Sequence, residues 1–256
     1  MEFRPCIDIH NGKVKQIVGS TLSDTNDFAK ENFVSQKGAA YYAGLYKDYN
    51  LPGGHVILLN AKDSPYYEAT RREAESALRA YPGGFMAGGG ITDENARDFI
   101  ECGASHVIVT SYVFRNGVID MDNLRKLVAA IGKEKIVLDL SCKCIDGKYR
   151  VVTDRWQNVS DVVVEKAIFD ELSEYCDEFL VHAVDSEGKS AGIDEKLINV
   201  LSECVQTVTY AGGISSYDDV KKLGVLSGNR VNFTVGSRLD IFGGELSIGE
   251  ILRCTQ

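Results

Sequence analysis

Short apolar runs recur along the whole chain, near residues 3–9, 54–59, 84–87, 105–109, 135–140, 178–182, 207–210 and 230–235. Runs such as Val56-Ile57-Leu58-Leu59 and Ile136-Val137-Leu138 lack polar alternation, so neither face of these strands is expected to meet water. Between them lie mixed apolar and charged stretches, which predict helices near 36–50, 66–80, 93–102, 120–131, 165–176, 194–204, 216–227 and 247–254. Alternating strands and helices predict a parallel sheet, and eight of each predict an α/β fold closed as a (β/α)8 TIM barrel. An open, doubly wound sheet is the rival arrangement. The connections at 10–35 and 141–163 are longer than the rest, each with a candidate hairpin strand, at 13–18 and 148–152. Long loops in compact folds are often lids, and in a barrel both would hang over the C-terminal ends of the strands.

The chain also repeats itself. Gly88-Gly89-Gly90-Ile91 is echoed by Ala211-Gly212-Gly213-Ile214, and Val109-Thr110-Ser111 by Val235-Gly236-Ser237. Cys6-Ile7-Asp8-Ile9 is echoed by Val137-Leu138-Asp139-Leu140, with Gly12-Lys13 and Gly147-Lys148 following. This predicts a barrel built from two half-barrel repeats, since two four-strand halves close without leaving an edge. No linker, low-complexity tract or composition break interrupts the pattern, so residues 1–256 are expected to form one barrel domain.

Composition narrows the partners. Apolar residues make up 44% of the 256, enough for a substantial core, and the net charge is −9. That charge disfavours nucleic acid, which needs clustered Lys and Arg. A phosphate ester remains accessible through backbone N–H groups. The seven cysteines are odd in number and irregular in spacing, with no C-x-x-C pair, as expected for reduced thiols in the cytoplasm. The first residues lead straight into a strand, so no targeting segment is expected, and no apolar run reaches the ~20 residues that span a bilayer. The four histidines are not spaced as metal ligands, so no metal is expected.

The candidate chemistry lies where the repeats match. Asp8 and Asp139 each end an apolar strand, where a carboxylate is costly unless it faces a cavity or a partner. On strands 1 and 5 of a barrel they would face each other across the mouth, a geometry suited to one acid and one base; the alternative is that each caps a loop or pairs with a Lys. Gly89-Gly90 with Thr110-Ser111, and Gly212-Gly213 with Gly236-Ser237, form two matched corners. Glycine lets an anion approach the backbone, and a helix opening at Thr92-Asp93-Glu94 or at Ser215-Ser216 would add free N–H groups. Two such corners fit a small-molecule bisphosphate. Trp156, in the second long loop, either caps the core or folds over a flat heteroaromatic ligand. His182 and Asp185, at and just after the end of strand 6, either touch a ligand or are satisfied structural residues, and His10 is equally open. His55 and His106 begin strands and read as structural.

These motifs resemble those of the histidine-biosynthesis isomerase family, (β/α)8 enzymes that convert the aminoaldose ProFAR, a phosphoribosyl-formimino imidazole carboxamide bisphosphate, to its aminoketose. Cys6-Ile7-Asp8-Ile9-His10-Asn11-Gly12-Lys13, Leu138-Asp139-Leu140 and both glycine corners carry the likeness over nearly the whole chain. Asn32-Phe33-Val34-Ser35-Gln36, Tyr41-Tyr42-Ala43, Leu180-Val181-His182-Ala183 and Leu239-Asp240-Ile241-Phe242-Gly243-Gly244 resemble the fungal and plant branch more than the bacterial one. The resemblance implies an Amadori rearrangement without a cofactor. It implies Asp139 as general acid, Asp8 as general base, the glycine corners as phosphate sites, and Trp156 closing over the substrate. A monomer is the expectation for barrels of this kind.

The chain departs from the bacterial pattern in places. Gln16 stands near the usual Arg, the strand-2 carboxylate is replaced within His55-Val56-Ile57-Leu58-Leu59, and Ala183 replaces a Thr. Three rival functions remain. One is the cyclase subunit of imidazole glycerol phosphate synthase, which typically has a Lys near the place of Gly19. The others are a non-catalytic phosphometabolite sensor and an isomerase that also accepts phosphoribosyl anthranilate.

Overall fold

A computed structural model describes residues 1–17, 21–22, 29–153, 156–186 and 192–255. Gly19 lies outside the described residues, as do Val18 at the end of the first candidate hairpin strand and Asp154-Arg155 beside Trp156.

Eight parallel strands form the centre: β1 (Cys6–His10), β2 (Gly54–Leu58), β3 (Phe85–Gly88), β4 (Val107–Val109), β5 (Ile136–Asp139), β6 (Glu178–His182), β7 (Thr207–Ala211) and β8 (Asn232–Phe233). Each pairs with the next in chain order. The ring closes through a parallel bridge between Phe3 and Phe233, with Arg4 N–H donating to Phe233 O at 2.8 Å and Phe233 N–H to Glu2 O at 3.0 Å. The sheet is therefore a barrel, and the open-sheet alternative falls.

Around it run α1 (Ala39–Asp48), α2 (Tyr67–Ala80), α3 (Ala96–Glu101), α4 (Met121–Ile131), α5 (Lys166–Leu172), α6 (Glu195–Leu201), α7 (Tyr217–Ser227) and α8 (Ile248–Cys254). Side chains start four of them: Asp120, Asp194, Ser216 and Ser247 each accept a first-turn N–H. α1 begins at Gly38 without such a cap; Glu73 of α2 accepts from Ala39 N–H at 2.8 Å instead.

Two layers of core result. The larger fills the space between sheet and helices, with Tyr46, Phe85, Phe99, Phe169, Phe179, Tyr210 and Phe233 fully buried. The smaller packs inside the barrel: Met86, Ile108, Val137, Leu180 and Ala211, with Ile57 against them. Strand alternation fixes which residues share that interior. Below this layer, Arg4 and Glu178 form a buried ion pair, and Arg4 Nη1 also donates to Thr209 Oγ1 at 3.4 Å. Above it lies the site.

Both long connections carry antiparallel sheet. After β1, strand Lys13–Ile17 pairs with β1 on one side and with Glu31–Val34 on the other. After β5, Cys142–Ile145, Lys148–Thr153 and Asn158–Val163 form a three-stranded sheet. A small hairpin, Phe114–Arg115 with Val118–Ile119, follows β4, and Asp161 N–H donates to Gly117 O at 2.8 Å. Three of these turns share one device. Asn11-Gly12, Asn116-Gly117 and Asp146-Gly147 all have positive φ at both residues, as a two-residue type I′ turn demands.

Candidate functional site

The strand ends place Asp8 and Asp139 in one cavity of about 540 Å³. A second cavity of about 290 Å³ adjoins it and shares Leu22, Ile57, Leu59, Asp139, Ser141 and Trp156. Together they form one cleft with two lobes. Gly212, Gly213, Gly236 and Ser237 line the larger lobe, and Gly89, Gly90, Thr110 and Ser111 the smaller. Asp139 and Trp156 sit at the junction.

The two corners match in backbone as well as in sequence. Gly89 has φ +101° and Gly212 +111°, while Gly90 has +68° and Gly213 +77°. A Cβ at Gly89 would stand 2.1 Å from Leu58 O, and one at Gly213 2.2 Å from Gly192 O. Only glycine fits these turns. Gly89→Ala is accordingly expected to destabilise the fold by roughly 1–3 kcal/mol through strain alone, as read from urea denaturation midpoints.

The helix starts differ from expectation. α3 begins at Ala96 rather than at Thr92-Asp93-Glu94, because Asn95 forms a local turn: its Oδ1 accepts from Thr92 N–H at 2.9 Å and its Nδ2 donates to Gly90 O at 3.0 Å. At the other corner, the Asp219 carboxylate accepts from Ser215 N–H at 2.9 Å and Ser216 N–H at 3.0 Å. Burial raises the Asp219 pKa, but these bonds and the two hydroxyls outweigh it and hold the carboxyl below its ordinary value. Side chains thus already occupy the N–H groups at 92, 215 and 216, so these helix starts do not offer the free N–H groups that the sequence suggested.

Asp139 is held from several sides. Thr110 Oγ1 donates to Oδ2 at 3.1 Å; Ser141 N–H and Oγ donate to Oδ1 at 2.9 and 2.8 Å. His182 Nδ1 lies 3.7 Å from Oδ1. Burial pushes the carboxyl pKa up, yet the His182 ring and these donors pull it down further, so Asp139 is a carboxylate at neutral pH. Asp8 is half-buried on β1, in register with Ile57.

His55 takes a different place from that expected of a structural residue. It lines the larger lobe, with its ring centroid 6.5 Å from that of His182. Burial first, then the His182 charge, pulls its pKa down to about 3, so it is a neutral imidazole. Strand parity was the available signal: His55 shares a face with Ile57, which points inward. His10 is buried away from this lining, and His106 stands at the opposite end of the barrel.

Trp156 lines both lobes, its ring centroid 6.2 Å from that of His182. Its φ of +65° is unusual for a bulky residue, and Lys143 Nζ donates to its carbonyl at 2.8 Å. Asp185 lines neither lobe; its exposed carboxylate accepts from Cys144 N–H at 2.8 Å, which fastens the three-stranded lid to the β6 end. Gln16 reaches the β8 end, where a Cβ on Gly236 would meet its Oε1 at 2.6 Å. Lys15 is turned away to Glu31. Ser141, Gln16 and Arg238 join the lining without having been singled out in the sequence as site residues.

Among the described residues, His106, Asp177 and Glu178 offer ligand atoms within 4.8 Å of one another. They lie at the N-terminal ends of β4 and β6, away from the cleft, and the Glu178 carboxylate is engaged by Arg4.

Comparison with known proteins gives the family. A family model described as "Histidine biosynthesis protein" matches residues 2–241. A chloroplastic protein of Medicago truncatula is 52% identical over 257 residues, covering 98% of this chain and 81% of its own. It is named 1-(5-phosphoribosyl)-5-((5-phosphoribosylamino)methylideneamino)imidazole-4-carboxamide isomerase, that is, ProFAR isomerase. Proteins of that name from Neurospora crassa and Saccharomyces cerevisiae are 46% and 44% identical, covering 95% and 96% of this chain and 93% and 94% of their own. No helix among the described residues is long and apolar enough to cross a membrane.

Proposed function

Because the chain belongs to the histidine biosynthesis protein family and is an isomerase, we propose that it converts ProFAR to its aminoketose by an Amadori rearrangement. The observation that carries this is the single cleft with a matched glycine corner in each lobe, Asp139 at the junction of the lobes and Asp8 in the larger one. A substrate phosphorylated at both ends spans the lobes, and its reacting ribose lies near the carboxylates.

The proton accounting follows from the surroundings of each group. The reaction opens the ribose ring: the ring oxygen gains a proton, its bond to C1 breaks, and the nitrogen lone pair forms C1=N. Asp139 carries no proton in the free protein at neutral pH, so to act as the general acid it must first take one up, and His182 Nδ1, 3.7 Å from its Oδ1, is the nearest ring nitrogen to it. Asp8 then removes the C2 proton, giving an enolamine. The enol hydroxyl loses its proton to form C2=O as C1 gains one, and no atom is lost overall. Thr110 and Ser141 hold the Asp139 carboxylate in one orientation. Trp156 lies over the junction, placed to shield the open-chain intermediate from water.

On this reading residues 1–256 act as one barrel domain and as a monomer, without a cofactor, and the seven free thiols suit a reducing cytoplasm. The decisive assay is spectrophotometric. Purified protein is expected to convert ProFAR in the absence of ammonia and glutamine. Binding without conversion would leave only a sensor, and a requirement for ammonia would make the chain a cyclase.

A further inference from the structure

The cleft is short of positive charge. Its two lobes contain the carboxylates of Asp8 and Asp139, and the whole chain carries −9. Among the described residues lining either lobe, Arg238 is the one Lys or Arg. It lines the larger lobe together with Gly213, Ser215 and Ser237; no such cation among the described residues lines the smaller lobe, at Gly89, Gly90 and Ser111.

The surroundings of Arg238 are built. Leu246 N–H donates to its carbonyl at 2.9 Å, and Leu239 bridges Leu246. The loop closes so tightly that a Cβ on Gly244 would lie 2.1 Å from Arg238 O. The guanidinium is divided between two environments. Nη2 points outward to Glu245 Oε2 at 3.3 Å, and that Glu245 side chain is 84% exposed. Nε is shut off from solvent and has no hydrogen-bond partner among the described residues. A buried donor without an acceptor is costly, and a phosphate oxygen in the Gly213/Ser237 corner would supply one.

We infer that Arg238 is a specificity-determining anion clamp, gripping the terminal phosphate in the larger lobe, so that this end of the substrate docks by charge and the other by backbone amides alone. The inference rests on the reading of the cleft as a site for phosphate esters. Glu245 acts as a surface counter-ion that competes for the guanidinium until the phosphate arrives. Each phosphate end is thereby given a different affinity, which sets the direction in which the substrate enters.

Ribose 5-phosphate is a probe that does not depend on turnover. Calorimetric titration is expected to show Arg238→Met weakening its dissociation constant by about 10- to 100-fold, the loss of one charge-assisted contact. Arg238→Lys should recover part of that, since it restores the charge without the planar fork. Glu245→Gln should tighten binding, and wild-type affinity should fall with added salt more steeply than that of Arg238→Met. With ProFAR, the KM of Arg238→Met should rise by more than its kcat falls. A dissociation constant for Arg238→Met within twofold of wild type would overturn the inference. If Arg238→Met does not fold, Glu245→Gln decides: tighter binding supports the clamp, and unchanged or weaker binding overturns it. Arg238-dependent binding without conversion of ProFAR would sink the proposed activity and leave the clamp standing. Conversion with binding indifferent to Arg238 would do the reverse.

Discussion

Asp8→Asn is expected to lower kcat for ProFAR conversion by roughly 10²- to 10⁴-fold, with the protein still folded. The substitution keeps the size of the side chain and removes its basicity, and Asp8 stands in the cavity rather than in the core. Asp139→Asn is expected to lose as much activity, with a second effect. The Asp139 carboxylate accepts three hydrogen bonds, from Thr110 Oγ1 and from Ser141 N–H and Oγ. An amide accepts through one oxygen only, so its NH2 group must face a donor. This variant should therefore be less stable as well as less active. The pH dependence has a definite sign. The folded-state pKa of Asp139 lies below its ordinary value of about 3.9, so its contribution to stability is complete above that value and is lost as pH falls through the depressed one. Acid titration of the wild type and Asp139→Asn, followed by circular dichroism, should show the variant losing less stability below about pH 4. Near-normal turnover by both Asn variants would end the acid–base assignment.

Arg4→Met should cost about 3–5 kcal/mol of stability without altering the active cleft. Arg4 and Glu178 are both buried and paired with each other at the end of the barrel away from Asp8 and Asp139. Methionine fills much of the same volume but leaves the Glu178 carboxylate without its counter-charge. The double variant Arg4→Met/Glu178→Gln should regain part of the loss, because the stranded charge is gone. Urea denaturation of the wild type, the single variant and the double variant measures all three. A loss under 1 kcal/mol for the single variant would mean that the pair contributes little.

The barrel was legible in the sequence because its strands have dry faces on both sides. A fully buried strand leaves an unbroken apolar run such as Val56-Ile57-Leu58-Leu59, and the runs at 54–59 and 178–182 fall close to β2 and β6. The lids were legible only in part. Strand Lys13–Ile17 stands within the candidate strand at 13–18, but its partner Glu31–Val34 carries Glu and Asn among its four residues and gives no comparable signal. The hairpin after β4 leaves no strand signal although Asn116-Gly117 marks its turn, because its two-residue arms are too short to show a period.

Within the site, the repeats marked the two carboxylates and the two corners, which the structure brings into one cleft. Residues outside the repeat were harder. His55 reads as structural because it stands near the start of a strand, whereas parity rather than position decides which side chains enter the barrel. Asp185 follows β6 closely in sequence, but the chain turns there and its carboxylate goes to Cys144 N–H instead. Arg238 gave no warning, since a single Arg after Ser237 is indistinguishable from a surface residue until the loop to Gly244 fixes it.

The near-identical angles of the paired glycine turns have a geometric cost. A cleft with twofold character offered a molecule with two similar ends can seat it in either of two poses, and only one brings the correct sugar to the carboxylates. The two glycine turns distinguish them poorly, because their φ angles differ by only about 10°. Whatever selects the productive pose must come from side chains that the duplication did not copy. A weakened selector would show itself as a lower kcat that no excess of substrate restores, because inverted molecules would hold a fixed share of the sites at saturation.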